Sequence, residues 1–307
     1  SVCWDDIATD DIKVIMNKSI QPVISVIVPT RDRQALFNKA VQSVFHQTYS
    51  NIELIVVDDH STAPPVIEDA PEHVEVKYHR NNKASGGAIS RNTGVRLSQG
   101  EFICFLDDDD YYHENKLQTL FEQLCADSSL SAVFGRIVKL SEPARTMDKK
   151  YLDEQGIIKT PEAIRYLHTN SSLIRRHVFE EIRFDETLHK FQDTQLHIEL
   201  ICNKKCKYVY EDVAYWNDKH GLAQITDMKT QESHLRSLVN FKKMIKNLAK
   251  RRRVSRRYHL VFYIKYLVML RDYKRQFGNL TGIAVSNLDF IFYQAVRLAS
   301  FLLGKRL

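Results

Sequence analysis

Short apolar stretches alternate with helically spaced ones along the first 125 residues. Val23–Val28 is a β-branched run between Pro22 and Pro29 and predicts a buried strand. Leu36, Phe37, Ala40, Val41, Val44 and Phe45 recur at helical spacing within Gln34–Gln47. Ile52–Val57 predicts a second buried strand, and the alternating Val74–Tyr78 a third. Ser85–Leu97 starts on Gly86-Gly87 and turns helical. Phe102–Leu106 predicts a fourth strand, and Lys116–Cys125 a helix with Leu117, Leu120, Phe121 and Leu124 on one face. Apolar strands interleaved with helices predict an α/β fold with a parallel sheet. Ligands of such sheets bind beyond the carboxyl ends of the strands. Here those ends carry Thr30–Arg33, Asp58-Asp59 and Asp107–Asp110.

The pattern is looser further on. Ala132–Val138 and Tyr208–Tyr215 predict strands, Arg175–Ile182 and Thr194–Cys202 helices. Gln231–Ala249, Tyr258–Gln276 and Leu288–Leu303 read as further helices. The longest nearly apolar run, Leu260–Leu270, contains Lys265 and falls short of the roughly 20 residues a bilayer span needs. The start does not resemble a signal peptide.

Charge changes the picture more than composition does. The 307 residues carry a net charge of +6. Phe241–Leu307 alone holds 16 Lys and Arg against 2 Asp, so the preceding body is acidic. All seven prolines lie at or before Pro161. The five cysteines (Cys3, Cys104, Cys125, Cys202, Cys206) have no metal-finger spacing, and reduced thiols in a cytoplasm are expected.

The chemistry is concentrated in Asp107-Asp108-Asp109-Asp110. In an extended segment alternate side chains share a face, which puts Asp107 beside Asp109. Like charges about 4 Å apart repel by about 1 kcal/mol even in water. A divalent Mg²⁺ or Mn²⁺ with oxygen ligands relieves this and can hold phosphate oxygens. The plain alternative is a solvated turn or a helix cap. Capping explains one aspartate, Asp110 before the Lys116–Cys125 helix, but not four. Asp58-Asp59, followed by His60-Ser61, can accept from a base N–H or a ribose hydroxyl, or simply form a turn. Gly86-Gly87 with Arg91-Asn92 and Gly94 can bring backbone and a guanidinium to phosphate, or serve packing. No G-x-G-x-x-G follows the first strand, which argues against a dinucleotide fingerprint.

These pieces together resemble the inverting glycosyltransferases of family 2, which have the GT-A fold. The resemblance runs from about Pro22 to Ile225. It is carried, in order, by Val26–Thr30, Ser43–Thr48, Ile55–Ser61, Gly87–Gly94 and Gly100–Asp110. It implies a Rossmann-like, mostly parallel sheet flanked by helices, to which the helical spacing and charge beyond Gln231 add a C-terminal helical extension. The expected division is an N-terminal extension over 1–21, a GT-A domain over 22–226, and a basic helical tail over 227–307. Within the domain, 22–125 is the nucleotide-sugar half and 126–226 the acceptor half. The resemblance further implies that Thr30 and Asp32 line a nucleoside pocket, Asp59 reads a base, most often uracil, and Arg91 lies near the diphosphate. Asp58 and Asp108 join this donor-binding set. Asp107 and Asp109 would bind Mn²⁺ or Mg²⁺. Phe184-Asp185-Glu186 and Phe191-Gln192-Asp193 resemble the region that ends in the general base, here Asp193, with Gln192 replacing the commoner acid. Asp193 also suits a cap of the Thr194–Cys202 helix. Tyr215–His220 resembles a Tyr-Arg-x-His segment without its arginine, and makes His220 a candidate at the metal or diphosphate. Glu114 stands where many relatives have proline.

The implied activity moves a hexose or N-acetylhexosamine from a UDP-sugar to a glycan acceptor. That acceptor would be a lipid-linked intermediate of bacterial O-antigen, lipopolysaccharide or capsule synthesis. Two rivals remain at this stage: a non-catalytic GT-A-fold scaffold at a membrane, and a nucleotidyltransferase. The second usually has a glycine-rich loop after the first strand, and Pro29–Arg33 has no glycine. In the tail, Arg251–Arg253 and Arg256-Arg257 beside aromatic helices suit an anionic membrane surface, which would place the protein peripherally on the inner face of the plasma membrane. The same helices suit packing on the core or a homo-oligomer. Nucleic acid is not expected, because no recognition module accompanies the basic cluster.

Overall fold

The computed structural model describes residues 21–221 and 230–278. The expected helix over Leu288–Leu303, the first 20 residues and Cys3 lie outside them. The chain begins with β1 (Ile24–Thr30), α1 (Gln34–Phe45), β2 (Ile52–Asp58), β3 (Val74–Arg80), α2 (Gly87–Leu97) and β4 (Phe102–Phe105). It continues through β5 (Tyr111–Tyr112), α3 (Lys116–Ala126), β6 (Ala132–Lys139), β7 (Ser172–Arg175), α4 (Gln192–Asn203) and β8 (Cys206–Trp216). Two long helices follow, α5 (Gln231–Arg251) and α6 (Arg256–Phe277).

The strands form one sheet in the order β3-β2-β1-β4-β7-β6-β8-β5. The first four are parallel to one another, as their apolar runs predict. β7 runs antiparallel to both β4 and β6, and β5 antiparallel to β8. The sheet is therefore mixed, with a parallel nucleus. Sequence patterning misses β5 and β7 because both are too short to show a period. β7 also displaces the start of the helix expected over Arg175–Ile182, which shrinks to a 3₁₀ turn over Arg176–Glu180.

Alternation along β1 splits its side chains between two cores. Val26 and Val28 join α1 and α3 on one face, while Ile27 joins α2 and α4 on the other. Gly94 of α2 lies so close to β1 that a Cβ there would overlap the Ile27 side chain. Pro29 removes a donor from an interior strand at little cost, because β4 pairs with β1 only as far as Ile27. A third core joins α5 and α6 to Leu188 and Ile198, around Phe241, Met244, Phe262 and Tyr266. The described part of the basic segment thus packs its apolar faces against α4. No helix among the described residues is long and apolar enough to cross a membrane.

Candidate active site

The chain leaves β1 for β2 and β3 on one side, then returns to β4 on the other. The strand order reverses at the β1/β4 boundary, where the segments after the two strands part and leave a crevice. A cleft of about 340 Å³ opens there, lined by Thr30, Asp59, Arg91, Asp107–Asp110, His168 and Trp216 among others. Thr30 Oγ1 spans the boundary and donates to Asp108 Oδ2 at 2.8 Å.

Asp107–Asp110 is a turn rather than an extended segment. The Asp110 amide donates to the Asp107 carbonyl at 3.1 Å. A β-turn brings its first and fourth residues together, so Asp107 is grouped with Asp110 and not only with Asp109. Asp110 is not the helix cap expected from the sequence. Asn115 occupies that place without a side-chain cap. The Asp110 carboxylate is buried and accepts from Asn170 Nδ2 and, at 2.8 Å, from the Asn217 amide. Asn170 also accepts from the Asp107 amide at 3.1 Å, which stitches the turn to the 3₁₀ segment Thr169–Ser171. The β4–β7 pairing delivers that segment, because β7 begins at Ser172.

Around the turn the charges are sorted by partner. Arg91 Nη2 pairs with Asp107 Oδ1. Burial pushes the Asp107 carboxyl up, but Arg91, helped by His168, holds it below the ordinary range. Arg33 Nη1 reaches Asp109 Oδ2 at 2.9 Å and Asp108 Oδ1 at 3.3 Å. His220 Nε2 lies 3.4 Å from Asp109 Oδ2. Burial nevertheless raises Asp109, pushes Asp108 up to about 6, and lifts Asp110 well above the usual carboxylate range. Four carboxyls in so small a volume resist simultaneous ionisation.

The remaining expected donor residues divide. Asp59 lines the cleft and accepts from Asn81 Nδ2 at 2.9 Å and from the Ser85 and Gly86 amides at 2.8 Å each. These bonds outweigh its burial and lower its pKa. Asp58 is fully buried and turned away, accepting from the Ser61 amide at 2.7 Å and Tyr78 Oη at 2.9 Å. Asp32 has φ 53° and accepts from the Thr62 amide at 2.6 Å at the exposed rim. Both shape the loops around the cleft rather than its wall.

Arg91 joins the two halves. Its Nη1 donates to Gln192 Oε1 at 3.3 Å while Nη2 holds Asp107. Gln192 Nε2 donates to the Leu188 carbonyl at 2.8 Å, which fixes the amide. Gln192 opens α4, and Asp193 follows it in the first turn. Asp193 Oδ1 accepts from its neighbour's amide, Thr194 N, at 2.7 Å. Its charge helps hold the Arg91 guanidinium in its protonated form.

Sequence reading passed over His168, Arg33 and Trp216 as site residues. His168 stands two residues before Asn170, a position whose meaning depends on the β4–β7 pairing. Asp107, Asp110 and His168 each offer one ligand atom, and these atoms lie within 4.8 Å of one another. Two carboxylate oxygens in a cluster whose acids resist joint ionisation fit Mn²⁺ or Mg²⁺. His168 Nδ1 accepts from the Asn170 amide at 3.3 Å. That bond already engages one ring nitrogen, so the fit rests first on the carboxylates.

Known proteins carry the same combination of fold and motifs. The profile described as Glycosyl transferase family 2 matches residues 25–183. The chain belongs to glycosyl transferase family 2. It is 31% identical over 176 residues to the GalNAc(5)-diNAcBac-PP-undecaprenol beta-1,3-glucosyltransferase of Campylobacter jejuni, covering 55% of this chain and 56% of that one. It thus spans little more than half the length of that relative. With glycosyltransferase GlyG of Streptococcus pneumoniae it shares 26% identity over 275 residues, covering 82% of this chain and 88% of the other. Among solved structures, TarS 1-349 of S. aureus superposes with a TM-score of 0.61 at 18% identity, covering 88% of this chain and 78% of that one. A mannosyltransferase of Pyrobaculum calidifontis in complex with GDP-Man and Mn²⁺ superposes with a TM-score of 0.58 at 17% identity, covering 92% and 81%. At these identities the structures show the GT-A fold.

Proposed function

We propose that the protein transfers a hexosyl or N-acetylhexosaminyl group from a UDP-sugar to a glycan acceptor, with inversion and with a divalent cation. The observation that carries this reading is the acidic turn at the β1/β4 boundary, with Arg91 on one flank and His168 on the other. When bound, the cation supplies positive charge to the leaving diphosphate. Asp107 and Asp110 would hold it, with Asp109 and His220 beside them. Arg91 is half-buried and fixed from both sides, which suits a guanidinium that meets a diphosphate. Asp59 faces the cleft with its oxygens ordered, and is our candidate for the base-reading residue. Inversion needs a single in-line displacement, so the acceptor hydroxyl must lose a proton on the face opposite the diphosphate. Asp193, on α4 across Arg91 from the acid turn, is our candidate for that base.

TarS has been solved with UDP and with UDP-GlcNAc. Relatives include the GalNAc(5)-diNAcBac-PP-undecaprenol beta-1,3-glucosyltransferase above and the poly(ribitol-phosphate) beta-N-acetylglucosaminyltransferase TarP of Staphylococcus aureus. They support a surface-glycan acceptor, lipid-linked or polymeric. The test is calorimetric titration of UDP and GDP with and without Mn²⁺, on the wild type and on Asp107→Asn. Mn²⁺-dependent UDP binding, weakened at least tenfold in the variant, is expected. No UDP binding in the presence of Mn²⁺ would overturn the reading.

For the membrane, the basic run divides in two. Arg251 and Arg253 turn inward to Glu199, at 3.1 and 3.9 Å, whereas Arg252, Arg256 and Arg257 are exposed. We assign the exposed three to an anionic bilayer surface. Changing them together to glutamate should abolish sedimentation with anionic vesicles. Unchanged sedimentation would remove that assignment.

A further inference from the structure

A second cavity, of about 410 Å³, opens where β3 forms the edge of the sheet. One wall is the end of β3 and the loop after it, His79 to Lys83. The other is the outward face of α2, where Ile89, Thr93, Arg96 and Leu97 follow helical spacing. Arg80, Lys83 and Arg96 line it, and no carboxylate does among the described residues. Arg80 is partly engaged, donating to the Ser61 carbonyl at 2.6 Å and lying 3.7 Å from Asp58. Among the described residues Arg96 donates only to Thr93 Oγ1, at 2.6 Å. Neither Arg96 nor Lys83 has a carboxylate within ion-pair distance among the described residues. Three cationic side chains thus line one cavity with no acid among them, and in a body whose acids outnumber its bases this is a local reversal. Ile89 and half-exposed Leu97 add an apolar strip beside the cations.

We propose that this cavity is a second binding site, for a phosphate ester: the oxyanion between Arg96, Lys83 and Arg80, the carbon skeleton against Ile89 and Leu97. Guanidinium and ammonium groups are the side chains that recognise phosphate. The site shares a wall with the donor cleft. Asn81 lines the cavity, and its Nδ2 donates to Asp59 at 2.9 Å and to Ser90 Oγ at 3.1 Å. An occupant here therefore abuts the loop that orders Asp59. Free metabolite and polymeric phosphodiester share this chemistry, and the probes below separate them.

The experiment titrates the full chain with sn-glycerol 3-phosphate, a glycerol-phosphate trimer and inorganic phosphate, followed by amide chemical shifts. It is run with and without saturating UDP and Mn²⁺. Shifts at Lys83, Ser85 and Arg96 that persist with UDP are expected. Affinity should fall at least fivefold in Arg96→Ala and again in Lys83→Ala, with UDP affinity unchanged. Tighter binding of the trimer assigns the site to a polymer, and tighter binding of the monoester to a metabolite. Inorganic phosphate is expected to be the weakest of the three. Shifts confined to the donor cleft, or affinities untouched by both variants, would overturn the proposal. The arms without UDP stand even if the donor reading fails.

Discussion

Lys116 offers the sharpest quantitative test of the structure behind the acid turn. It is the first residue of α3, has no solvent exposure, and its Nζ makes no hydrogen bond to nitrogen or oxygen. The ammonium sits 3.4 Å from the centre of the Tyr112 ring, beside the Cys104 sulfur. Burial pulls its pKa from 10.5 down to about 8. At about 1.36 kcal/mol per unit, that difference corresponds to about 3 kcal/mol of lost stability while the lysine is charged in both states. Lys116→Met keeps the volume and removes the charge, so it should stabilise the protein at pH 7 by up to about 3 kcal/mol, or several degrees in Tm. The sign with pH is fixed. The folded form loses the lysine proton first, so the wild type gains stability between pH 8 and 10.5, and the advantage of methionine fades across that window. Urea denaturation at pH 7, 8.5 and 10 measures it, with UDP affinity as the control for an intact site. A methionine variant that is less stable at pH 7, or whose advantage is the same at pH 10, would refute the reasoning.

Three further outcomes are expected. Asp193→Asn should keep UDP-sugar binding by calorimetry and lose about 10²–10⁴ in turnover; near-normal turnover would take the base role from Asp193. Gln192→Glu would set a second carboxylate against Arg91, and UDP should bind several-fold more weakly while the melting temperature hardly moves. Gly94→Ala should cost about 1–3 kcal/mol in urea denaturation, because the new methyl overlaps Ile27 where α2 meets β1; a neutral result would mean that helix and sheet separate easily.

The sequence alone determined the parallel nucleus. β1, β2 and β4 are largely apolar runs, α1 and α3 carry clear apolar faces, and polar clusters punctuate the strand ends. Those are local patterns, set by burial on one or both faces. Thr30, Asp59 and the acid tetrad were legible as cleft residues because strand ends in such sheets face the crevice, whereas Arg91, on α2, was legible only through the family motif. Tertiary structure decided the rest. Whether Asp107 stands beside Asp109 or Asp110 depends on the backbone being strand or turn, which four identical residues do not encode. His168 and Asn170 reach the acids only through β7, four residues long and paired antiparallel to β4. Arg251 and Arg253 read as part of a uniform basic run until α5 is seen packed on α4, where two of the charges meet buried Glu199 and their neighbour Arg252 remains in solvent. Long-range pairing chose these partners, and no local period records it.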